Sequence, residues 1–228
     1  MTFRRSPLAL AVLGLLAYKP LHPYGLQQLI RYWGKDEVVN VGQRATLYKT
    51  ISRLKEAGLI AVHGTERDQQ YPERTVYQLT PAGRRASLDW VREMLATPHR
   101  EFPEFPAALA FLPLIEPAET LDLLERRRDR LARELARLES VIAAATDLPR
   151  VSSLEIEYLH AVTTAELRWV DGVIRDLHAG HIAWSDAGLR AAASEHPTPD
   201  QEAPGTVPAP AASAWPTGHR PGWTARPT

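Results

Sequence analysis

The chain has 228 residues, of which 44% are hydrophobic, and carries no net charge. That length suits one or two domains with real cores, and the absence of cysteine excludes disulfides, thiolate catalysis and zinc–sulfur sites. The neutrality hides an asymmetry: residues 1–94 hold 14 Lys and Arg against 8 Asp and Glu, a surplus of +6, and the remainder carries −6. A polyanion is a plausible partner for the first half only.

Taken in chain order, "MTFRRSPLALAVLGLLAYKP" has two arginines before an apolar stretch, as a signal peptide would, but no small-residue cleavage site follows. It reads as a buried first helix over about 7–17, opened by Pro7. A second helix spans about 23–33, with Leu26, Leu29, Ile30 and Trp33 as its apolar stripe and Gly34 as its stop. A third runs from 42–44 to about 57, with Leu47, Ile51 and Leu54 on its buried side and Gly58 ending it. Two β-branched and aromatic runs, "LIAVHG" and "TVYQLT", read as strands, and the polar "TERDQQYPER" between them is expected as a loop too long for a tight hairpin. Thr80 and Pro81 then cap and open a fourth helix.

The expected fold class is mainly α with a small β-hairpin wing. Helix, helix, helix, strand, loop, strand is the order of a winged helix-turn-helix module, and it assigns the third helix a role. A helix that reads DNA needs one stripe in the core and, opposite, donors for phosphates and base edges. Arg44, Thr46, Lys49, Thr50 and Arg53 supply such donors, while Tyr48 either offers its hydroxyl to a phosphate or packs beneath the helix. In the wing, Arg67 and Arg74, with Tyr71, are candidate contacts to DNA, offset by Glu66, Asp68 and Glu73. Solvation alone explains many basic helix faces; the order of elements is what favours double-stranded DNA as a partner.

Beyond residue 97 the pattern changes. A heptad stripe at Leu124, Leu131, Leu138 and Ala145, with Leu121, Leu135 and Ile142 beside it, marks a long helix over 118–145, interrupted by Arg128. It packs either within its own chain or against a second subunit. A further helix over about 154–178 has Leu159, Val162, Val170, Val173 and Leu177 on its expected buried side; Trp169 in its middle belongs to a dimer core or to the wall of a ligand pocket. Phe102, Phe105 and Phe111 in the Pro-rich "EFPEFPAALAFLPLIEP" are expected to dock the two domains, with a pocket there as the other reading. Residues 190–228, rich in Pro and Ala and holding Trp215 and Trp223, are expected to be disordered. The expected domains are therefore 1–97, 98–189 and the tail 190–228.

Enzyme signatures are missing: there is no phosphate-binding glycine loop and no nucleophile elbow. His178 and His181 lack a carboxylate cluster, His22 and His160 stand alone, and neither metal nor cofactor is expected. No run of eighteen apolar residues exists, so no membrane span is expected and a cytoplasmic location fits. A winged helix serving protein–protein interaction without DNA is the alternative reading.

The order and spacing of several short motifs over about 7–95 resemble the PadR family of transcriptional regulators. They are Tyr24-Gly25, Leu47-Tyr48, Leu54 to Ile60, Arg74 with Tyr77, and Leu79-Thr80 with Gly83. Where the family commonly has Pro after Leu-Tyr, this chain has Lys49. The resemblance implies a homodimer on a palindromic operator, usually a repressor, with two reading helices about 34 Å apart on half-sites one turn apart. It implies that the C-terminal helices, through Leu121, Leu124, Leu131, Leu135, Leu138, Ile142, Leu159, Val170 and Val173, build the dimer interface. A small aromatic effector that releases DNA is implied too, with Trp169 and Phe111 as its candidate contacts.

Overall fold

The computed structural model describes residues 3–68, 71–145, 149–185 and 188, with backbone alone over 66–68 and 71–73. The tail expected over 190–228, with Trp215 and Trp223, lies outside them. The chain forms two compact units, and it passes from one to the other between Glu101 and Phe102.

The first unit is built around α1 (Pro7–Leu16), whose Leu8, Ala9, Val12, Leu13, Leu15 and Leu16 are all buried. Apolar residues on nearly every side suit a central helix rather than a surface one. Ser6 caps it, its Oγ accepting from the Ala9 N–H at 3.2 Å. Helix α2 (Pro23–Tyr32) buries Leu26 and Ile30 but leaves Trp33 42% exposed. Trp33 thus departs from the expected stripe: it is the cap residue after the last turn, where it meets the exposed Tyr18 edge-on at 5.7 Å. Gly34 ends the helix at φ 64°, a conformation that suits glycine.

Helix α3 (Arg44–Glu56) is anchored by Leu47, Ile51 and Leu54, each at most 2% exposed. Beyond Gly58, β1 (Ile60–Asp68) pairs antiparallel with β2 (Tyr71–Leu79), from Ile60↔Leu79 out to Asp68↔Tyr71. The expected long polar loop is therefore corrected: most of it is paired strand, with register shifts between Val62 and Gly64 and between Glu66 and Asp68. A ladder satisfies its backbone whatever its side chains are, so a polar run without apolar alternation can still pair. Leu21 adds a bridge on the other side of β2, exchanging both backbone hydrogen bonds with Tyr77 at 3.0 and 2.9 Å.

Helix α4 (Pro81–Ala96) starts on a double-duty cap. The Thr80 Oγ1 accepts from the Gly83 N–H at 3.0 Å and donates toward the Gly58 and Leu59 carbonyls at 2.8 and 3.0 Å. A Cβ on Gly83 would lie 2.0 Å from the Leu59 carbonyl oxygen, so helix and strand approach more closely there than any side chain permits.

The second unit holds α5 (Glu104–Ala110), a short 3-10 turn at Leu112–Leu114, α6 (Pro117–Ala144) and α7 (Leu154–His178). Helices α6 and α7 lie antiparallel, since Glu125 stands 3.5 Å from His178 and Glu139 3.5 Å from His160. Between them Leu124, Val170 and Ile174 are buried, with Phe105, Leu121, Leu131, Val173 and Leu177 against them; Leu138 and Ile156 are buried as well. The expected face of α7 needs two corrections. Val162 is 45% exposed, and Ile156 and Ile174 take buried places. Phe105 packs inside this unit, beneath the Arg127 guanidinium at 3.4 Å.

Candidate nucleic-acid interface

The surface of α3 follows from its anchors. With about 100° of turn per residue, Thr46, Tyr48, Lys49 and Arg53 point some 100–160° away from Leu47, whereas Arg44 and Thr50 sit about 60° from it. Arg44, Thr46, Lys49 and Arg53 are all exposed. Tyr48 is 54% exposed, which removes the reading in which it packs beneath the helix. Thr50 is the exception among the candidates: it is half-buried and its hydroxyl donates to the Thr46 carbonyl at 2.8 Å, so its proton is not available to a base. Gln43, at the N-cap, contributes no side-chain cap, and its Oε1 lies 3.5 Å from the Thr46 hydroxyl. The Thr46 N–H donates to the Gln43 carbonyl at 3.1 Å, so the first turn of α3 offers a phosphate the N–H groups of Arg44 and Ala45, which no side chain caps.

Two candidates are engaged within the protein. The Arg53 guanidinium lies 5.2 Å over the ring of Phe3, which itself stacks on Trp90 of α4 at 5.6 Å. Nearby, Arg5 pairs with Glu93. The few residues before α1 thus fasten the end of α3 to α4. Arg74, opposite Glu66 in the wing, is half-buried and covers Tyr24 at 5.5 Å. Tyr24 in turn stacks on His22 at 6.2 Å and accepts from the Gln28 side-chain amide at 2.8 Å. The side chain of Arg67 lies outside the described residues, as do those of Tyr71, Glu66, Asp68 and Glu73.

His22, which stands alone in the sequence, proves to cap α2: its Nδ1 accepts from the Gly25 N–H at 2.9 Å. That bond requires an unprotonated Nδ1. Residues 22–24 and 74 thereby form a patch joining α2 to the wing. Only the Tyr-Gly pair and the Arg of the wing hinted at it, and neither hint says that the two meet.

In the second unit, a cavity of about 790 Å³ lies between the α5 segment and α6. Phe111 lines it; Trp169 does not, its ring standing edge-on to Phe105 at 6.0 Å. Leu124, Leu138 and Val170 are already covered within the unit, while Leu121, Leu131, Leu135, Ile142, Leu159 and Val173 keep part of their surface in solvent. His178 and His181 face Glu125 and Asp176 singly, at 3.5 and 3.6 Å.

Three helices, a paired wing and an exposed polar face on the third helix define a winged helix-turn-helix domain. Residues 12–88 match the model of the Transcriptional regulator PadR-like family. No curated protein matches the chain. Among solved structures, Bacillus subtilis PadR in complex with operator DNA is 18% identical, covering 75% of this chain and 99% of its own, with a TM-score of 0.63. The same protein in complex with p-coumaric acid gives 18%, 76%, 99% and 0.60. The Vibrio cholerae virulence activator AphA is 20% identical, covers 75% of this chain and 98% of its own, and has a TM-score of 0.57. These likenesses extend the shared fold beyond the winged helix into the second unit. Among the described residues no helix is long and apolar enough to cross a membrane.

Proposed function

We propose that the protein is a homodimeric repressor that reads a palindromic operator with α3 and is released from it by a small ligand. The observation that carries the DNA reading is the opposition of two faces on one helix: Leu47, Ile51 and Leu54 in the core, and Thr46, Tyr48 and Lys49 in solvent. Lys49 and Arg53 follow the phosphate backbone; Arg44 and Thr46, in the first turns, address base edges. A solved relative bound to operator DNA supports the reading. Dimerisation rests on the partly exposed Leu121, Leu135, Ile142 and Leu159, and ligand release on the cavity beside Phe111 together with the relative bound to p-coumaric acid.

Mobility shift against the protein's own promoter region, repeated over a salt series, tests it. Binding should weaken steeply with salt, and Lys49→Ala should weaken it further while lowering the salt slope by about 1. A protein with no salt-sensitive affinity for DNA would instead be an interaction module built on the same fold.

A further inference from the structure

The cavity in the second unit has walls that are mainly aliphatic: Leu109, Leu112, Ile115, Leu123, Leu124 and Leu131. Its volume of about 790 Å³ lies within the range of small-molecule sites. Five polar residues of α6 join this lining, Thr120, Arg126, Arg127, Arg130 and Glu134, and two of them are not engaged by the described residues. Thr120 is 1% exposed, and its Oγ1 has no hydrogen-bond partner among the described residues. A buried hydroxyl without a partner is costly unless something that enters the cavity supplies one.

The second group is Arg130. Its lining neighbours are engaged: Arg127 pairs with Glu166, Arg126 donates to the Asp122 carbonyl at 3.3 Å, and Glu134 binds Arg137 at 2.6 Å. Arg130 is exposed and has no partner among the described residues. It follows Thr120 by ten residues, about 15 Å along the axis, and a side chain leaning toward the helix N-terminus shortens that span to roughly 10 Å. One head group cannot touch both. The two ends of an elongated molecule can.

We propose that this cavity binds a medium-chain aliphatic carboxylate carrying a hydroxyl at its far end. The carboxylate pairs with Arg130, the chain lies along Leu124 and Leu131, and the distal hydroxyl exchanges a hydrogen bond with Thr120. The far wall is held by the Trp184 indole, which donates to the Ile115 carbonyl at 2.9 Å, so occupancy bears on the segment that follows α7. The inference rests on the ligand-release reading above, to which it adds a site and a ligand class.

Calorimetry on the full chain with octanoate, 8-hydroxyoctanoate and 3-(4-hydroxyphenyl)propanoate tests it. The wild type should bind 8-hydroxyoctanoate about 10-fold tighter than octanoate, because only the hydroxylated chain satisfies the buried Thr120. Thr120→Val, which keeps the shape and removes the orphan hydroxyl, should erase that preference without lowering the melting temperature. Arg130→Gln should weaken both chains about 10-fold, the value of a charge-assisted contact. Failure of either chain to bind, a hydroxyl preference that survives Thr120→Val, or tighter binding of the phenolic acid would overturn the proposal. Mobility shift in the presence of 8-hydroxyoctanoate separates the two readings: binding without loss of the DNA complex removes ligand release and leaves the site standing.

Discussion

Gly83 shows how much one atom decides. Its absent Cβ lets the first turn of α4 approach within contact of the Leu59 carbonyl, which the Thr80 hydroxyl also holds. Gly83→Ala should therefore destabilise the first unit by about 1–3 kcal/mol, as overpacking does, and a thermal melt would show it; an unchanged melting temperature would contradict the close approach. Arg53 is argued at the same scale. If Phe3 holds its guanidinium in place, Phe3→Leu should weaken DNA binding roughly 3- to 10-fold, a loss of the size expected for one phosphate contact. The same substitution should do nothing in an Arg53→Ala background. Additive losses would show that the two side chains act separately. Thr80, Pro81 and Gly83 were legible in the sequence because caps and helix starts are local. The stacking of Phe3 on Trp90 and of Arg74 over Tyr24 was not, because each joins residues fifty or more positions apart, and no spacing rule reaches that far.

At the scale of elements, helices were the readable part. Periodicity placed α1, α2, α3, α6 and α7 within a few residues, since a helix buries one stripe and advertises it at i, i+3 and i+4. Its weakness is that a stripe is wider than any one row: Ile156 and Ile174, rather than Val162, complete the buried side of α7. The wing was misjudged for the opposite reason, because its outer half is a polar run with no apolar alternation to read. Helix α7 also begins on an electrostatic device. Arg150, in the turn before it, binds the Glu157 carboxylate at 2.8 Å, which holds the carboxyl below its ordinary value near 4.5 and raises the guanidinium. A carboxyl lowered by folding stabilises the folded state above its unfolded value, and that contribution fades as pH falls through the folded one. Glu157→Gln should therefore lower the melting temperature slightly at pH 7, and the difference should shrink as pH drops below about 4.5. A difference that holds constant into acid would place the effect elsewhere.

For the whole molecule, residues 1–94 carry +6 and the remainder −6, so a polyanion suits the first unit better than the second. The surfaces left part-exposed on α6 and α7 suit a second copy of the chain, and two copies are what a twofold operator needs. Light scattering at micromolar concentration should give twice the 25.4 kDa of one chain; a monomer would sink the dimeric reading. Which residues make that interface was the least legible matter. A heptad of leucines looks the same whether it faces a neighbour in its own chain or in another, and Leu124 and Leu138 turn out to face their own.

The bridge between Leu21 and Tyr77 has a mechanical meaning. A two-stranded hairpin fixed only by its own ladder would flex at its root, and a push on its tip would dissipate there. This one is clamped on its outer side to the residue just before His22, so the wing behaves as a lever with its fulcrum at the entrance to α2. Force applied along the wing is delivered to the capped end of the second helix as well as directly to the third, which β1 follows in the chain.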